Sequence, residues 1–109
     1  MTSIEFYLKL CEKYLNEAEE LLQKGDYLQA SEKAWRVAAE IVKALAAKEG
    51  VDLRSHSELH RYVARLVEKT GDEELKRLWS TANELHRNFY ENRLPPELVK
   101  GCGEILRNL

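Results

Sequence analysis

The chain has 109 residues, with 17 Lys and Arg against 19 Asp and Glu, a formal charge of -2. Hydrophobic residues make up 44% and charged residues 33%, a balance that suits one soluble domain and excludes a disordered chain. The near-neutral charge excludes a broad phosphate-binding face. The apolar runs are too short to span a bilayer, and no charged-then-apolar leader precedes Ile4, so a cytoplasmic protein without membrane contact is expected.

Apolar residues recur at helical spacing throughout, and no strand-like alternation appears. Ser3 is placed to cap a first helix over about residues 4–24, with a seam of Ile4, Leu8, Cys11, Leu15, Ala18 and Leu22. Gly25 supplies a left-handed stop and Asp26 caps the next helix at once. So short a connection forces two helices, each roughly 30 Å long, to lie antiparallel. The second helix, residues 27–49, is apolar on two faces. One carries Tyr27, Ala30, Ala34, Val37, Ile41 and Ala44; the other carries Trp35, Ala38, Ala39, Val42, Leu45 and Ala46. Such a helix is expected to be central, with its alanines admitting close neighbours. Gly50 ends it.

Ser55 to Glu58 is a capping-box pattern opening a third helix, residues 56–70, with Leu59, Tyr62, Val63, Leu66 and Val67 inward. Gly71 stops it. Asp72 caps a fourth helix that begins with Glu73 and Glu74 and ends near Asn92, before Pro95-Pro96. Pro96 suits the first turn of a short fifth helix, with a seam of Leu98, Cys102, Ile105 and Leu109. The expectation is an all-α fold: residues 1–109 form one up-down antiparallel bundle of four main helices plus a short C-terminal fifth. Cys11 and Cys102 each fall on an apolar helical face. They read as two small buried thiols, with a disulfide between first and last helices as the alternative.

The fourth helix carries the richest cluster of functional side chains. Leu75, Leu78, Ala82, Leu85 and Phe89 form its apolar stripe. Trp79, Asn83, His86 and Tyr90 run along an adjacent face, with Arg87 and Asn88 beside them. These residues, with Phe89, are the candidate ligand or interface surface. The aromatic ones are suited to anchor a partner. His56 and His60 stand at metal-ligand spacing. They read as two surface histidines in a polar first turn, and no metal site or cofactor is expected. Arg87, Arg93, Lys100 and Arg107 would make a small basic patch if the fifth helix folds beside the fourth, though a solvated mixed-charge surface is the plainer reading.

Two resemblances bear on this pattern. Gly25, Asp26, Tyr27, Ala30, Trp35 and Ala38 or Ala39 resemble the turn and second helix of a tetratricopeptide repeat, but only one copy is present and such repeats stack. The second covers nearly the whole chain. Gly25-Asp26-Tyr27, Ala30 to Lys33, Trp35, Ala38 to Glu40, then Ser80 to Glu91 and Leu94 to Glu97 resemble the PaREP family of archaeal proteins, and through it the HEPN superfamily of helical bundles.

The HEPN resemblance implies a homodimer and a nucleotide, nucleic acid or protein partner, a small nucleotidyltransferase among them. Its RNA-cutting members carry Arg, often Asn, and then His after four to six residues. There His moves a proton and Arg steadies phosphate charge. Here Arg87-Asn88 matches the opening, but Asn92 stands where His belongs, and Asn has no titratable proton. His86 points about 100° away from Arg87 around the helix. The expectation is therefore a non-catalytic binding or interaction module. The alternative is a metal-independent endoribonuclease using Arg87 with His86 or Asn92, or a component of a toxin–antitoxin pair.

Overall fold

A computed structural model describes the backbone of residues 3–91 and the side chains of residues 3–87. Four helices occupy it: α1 (Ser3–Gln23), α2 (Tyr27–Lys48), α3 (His56–Thr70) and α4 (Glu73–Glu91). There is no strand among the described residues. The all-helical reading and all three turns stand as expected. Boundaries differ by a residue or so: Ser3 is the first residue of α1 rather than a cap outside it, and Glu49 is the C-cap of α2. The proposed fifth helix, Pro95-Pro96, Asn92, Cys102 and the basic residues Arg93, Lys100 and Arg107 lie outside the described residues.

The turns follow from their capping chemistry. At the end of α1, Asp26 N–H reaches the Leu21 carbonyl at 2.9 Å and Gly25 N–H reaches that of Leu22 at 3.1 Å. This is the paired closure that places a left-handed residue at Gly25, φ 80°. Asp26 Oδ1 accepts from Gln29 N–H at 3.2 Å and starts α2 at once. Ser55 Oγ likewise accepts from Glu58 N–H at 3.1 Å, and Asp72 Oδ1 from Leu75 N–H at 3.1 Å.

α2 is the centre of the fold. α1 packs on α2 alone among the described helices, and α3 and α4 pack on α2 and on each other. On the α1 side, the Cys11 thiol lies 3.7 Å from the Val37 carbonyl, and Lys33 pairs with Glu17 at 3.0 Å. On the other side a single cluster joins Ala34, Trp35, Ala38, Ala39, Val42 and Ala46 to Leu53, Leu59, Tyr62, Val63, Ala82 and Leu85. The small side chains of α2 let the larger ones of α3 and α4 seat against its backbone. Tyr62 Oη donates to Glu49 Oε1 at 2.8 Å, tying α3 to the end of α2. Two expectations are corrected by exposure. Leu8, placed in the α1 seam, is 51% exposed, as is Phe6. Leu45, placed on an apolar face of α2, is 37% exposed. α2 covers one side of α1, and the described residues leave that end of the seam uncovered.

Candidate ligand cleft

α2 is buried on two sides, yet one line of it is charged: Glu32, Arg36, Glu40 and Lys43, spaced by four, four and three residues. Beside that line the α2–α3 loop and the first turn of α3 stand off from α2 and leave an open cleft of about 280 Å³. Trp35, Ala39 and Leu59 supply its apolar wall, and Arg54, Ser55, His56 and His86 face the charged line across it.

Rings dominate one end. The His86 imidazole stacks on the Trp35 indole with centroids 4.2 Å apart and planes at 27°. His56 lies 4.6 Å from Trp35 and 5.0 Å from His86, edge-on to the latter. Trp35 Nε1–H points to Asn83 Oδ1 at 3.4 Å, and Asn83 Nδ2–H donates to the Trp79 carbonyl at 2.7 Å. Just outside the cleft, Trp79 Nε1–H donates to His60 Nδ1 at 3.1 Å. An indole N–H can only donate, so His60 Nδ1 is the acceptor of this bond. The chain's 3 histidines and 2 tryptophans thus form two ring groups, Trp35 with His56 and His86 and Trp79 with His60, bridged by Asn83.

The charges around the cleft are paired. Arg36 Nε donates to Glu32 Oε1, and that bond, chiefly, raises its already high pKa. Lys43 Nζ meets Glu40 Oε1 at 3.4 Å, and Arg54 Nε meets Asp52 Oδ2 at 2.9 Å. Burial, and then the neighbouring His56, push the His86 imidazole below its ordinary range, with Glu32 opposing them. On the far side of α2, burial and then Glu40 push the Cys11 thiol up, which keeps it protonated at neutral pH.

Of the residues singled out in sequence, Asn83 and His86 join the ring cluster at Trp35, and Trp79 reaches His60 instead of the cleft. Arg87 is not part of the lining; it is exposed and meets Glu84 at 3.6 Å. The side chains of Asn88, Phe89 and Tyr90 lie outside the described residues. His56 and His60 are exposed, as expected, but neither is a bare surface residue: each packs on an indole of another helix. Among the described residues no three or more His, Cys, Asp or Glu are grouped as metal ligands would be.

Sequence reasoning missed Trp35, Arg36, Arg54 and His56 as members of one site. The available signal was the charged line on α2. A central helix that buries two faces has no reason to carry four charges in register unless a groove or solvent meets them.

A family model described as the archaeal PaREP1/PaREP8 family matches residues 6–109. A crystal structure of a protein from Sulfolobus solfataricus is similar in fold, with a TM-score of 0.77 and 30% sequence identity. The match covers 91% of this chain and 88% of that one. A comparison with curated proteins finds no match.

Proposed function

Since the chain belongs to the archaeal PaREP1/PaREP8 family, a description that states no activity, we propose a function from the cleft: a binding module for a small, ring-bearing phosphate ester of the nucleotide class. One observation carries this reading. Arg36, Lys43 and Arg54 line the same opening as the Trp35, His56 and His86 rings, so phosphate-binding and base-stacking groups face one space. The first turn of α3 also lines it, and the amide groups of a helix N-terminus favour an anion. Arginine suits phosphate through its planar fork. At about 280 Å³ the cleft is near the lower end of ordinary small-ligand sites, roughly 300–1,000 Å³. That size favours a mononucleotide over a larger cofactor.

Calorimetric titration with a panel of nucleoside monophosphates tests this. Binding of at least one of them, weakened tenfold or more in Arg54→Ala, is expected. No binding across the panel at millimolar ligand overturns the reading. Pairing of two copies through a helical face, as the HEPN resemblance implies, is part of the same proposal.

A second reading has its own observation. His56 and His86 stand 5.0 Å apart on the rim that carries Arg36 and Arg54. One imidazole could take a proton from a ribose hydroxyl while the other protonates the leaving oxygen. This would be endoribonuclease chemistry without Arg87. Incubation with mixed RNA separates the readings: cleavage by the purified protein that disappears in His86→Gln favours the enzyme.

A further inference from the structure

Charges at the cleft come in matched pairs. Arg36 faces Glu32, Lys43 faces Glu40, and Arg54 faces Asp52. Three cations against three carboxylates leave little net attraction for a doubly charged anion. The remaining titratable groups at the opening are His56 and His86. From α1, the phenol of Tyr14 lies beneath the Arg36 guanidinium, whose carbon is 5.6 Å from the ring centre; Arg54 is held charged chiefly by Asp52, with smaller support from Glu58 and from Tyr7 of α1. α4 adds the exposed Glu84–Arg87 pair. α3 adds Glu58, which accepts from the Ser55 hydroxyl at 3.3 Å, and His60, whose Nδ1 is engaged by Trp79.

Two imidazolium rings in edge-on contact at 5.0 Å would repel each other unless an anion lies against both. Conversely, a dianion entering the cleft lacks a counter-charge unless those rings are protonated. Resting on the reading that the cleft receives a phosphorylated ligand, we propose that His56 and His86 form a proton-coupled anion seat: a dianionic oxyanion enters between Arg36 and Arg54, and the two imidazoles take up protons from solvent as it binds. No bond is made or broken beyond these proton transfers. By reciprocity, an anion that draws protons onto the pair binds more tightly as the pH falls. The cleft thereby reads two signals, ligand and acidity, through one pair of rings. Acid without anion loosens the α3–α4 contact that the pair bridges, and anion restores it.

Sulfate is the probe, because it stays a dianion from pH 5 to 8 and brings no titration of its own. Calorimetry in two buffers of different ionisation enthalpy reports proton uptake directly. Net uptake is expected, with affinity rising about tenfold per pH unit for each proton fully coupled. The rise should flatten in His56→Gln, whose exposed side chain can be replaced without opening the core, and in His86→Gln. Circular dichroism checks that both variants are folded. Sulfate affinity that is flat from pH 8 to pH 6, absent, or still pH-dependent to the same degree in His56→Gln overturns the proposal. Nucleotide binding without this pH dependence would remove the seat and leave the proposed function. Proton-coupled sulfate binding with no nucleotide binding would do the reverse.

Discussion

At the scale of single residues, Trp35 does two jobs. It is 7% exposed, so it belongs to the core, and its indole carries the His86 ring at 4.2 Å. Replacement by alanine removes both and should lower unfolding free energy by about 3–5 kcal/mol in urea titrations. Trp35→Phe should cost less, since a ring is kept and the long bond to Asn83 contributes little. Arg54 is the opposite case. Its side chain is 82% exposed and pairs with Asp52, so Arg54→Ala should leave the melting temperature unchanged while ligand affinity falls.

His86 sets a pH dependence. Burial, with His56 beside it, makes the folded protein a poorer proton acceptor at this ring than the unfolded chain, whose imidazole titrates near about 6.5. The unfolded state therefore binds more protons as pH falls. Stability is full above that value and declines as the pH drops toward the depressed folded value. Urea midpoints measured from pH 8 to pH 5 without added anion should show the decline, and His86→Gln should reduce it.

At the scale of elements, the short turns are held by local hydrogen bonds and by left-handed glycines. Gly71, at φ 69°, has its N–H on the Val67 carbonyl at 2.7 Å and open space where a Cβ would stand. The penalty of Gly71→Ala is then conformational alone, about 1–2 kcal/mol, and should appear as a lower melting temperature with unchanged helix content. The helices also differ in how firmly they are held. α2 buries residues along its whole length, whereas α3 buries Leu59, Tyr62 and Val63 on one side. Amide exchange should accordingly be faster across α3 than across α2, because an element with fewer buried apolar contacts opens at lower free energy. α3 also supplies His56 and Leu59 to one wall of the cleft, so the wall proposed to meet a ligand belongs to the less firmly held element.

At the scale of the whole molecule, two copies are expected, with a sedimentation mass about twice the 12.7 kDa of one chain. A single-chain mass at micromolar concentration would remove that part of the proposal. None of the described helices is long and apolar enough to cross a membrane.

Periodicity and capping chemistry alone determined the four described helices, their order, the central place of α2 and the turns at Gly25, Gly50 and Gly71. Each of these depends on residues within a few positions of one another, and local chemistry is written in local sequence. The polar face of the fourth helix stood out in the sequence, and in the fold Asn83 and His86 of that face meet Trp35 of α2. What they meet was not legible there. Trp35, Arg36, Arg54 and His56 come from two other helices and a loop. They become one cleft only when α3 and α4 dock on the small side chains of α2, and a helical pattern records which face is apolar without recording which partner covers it.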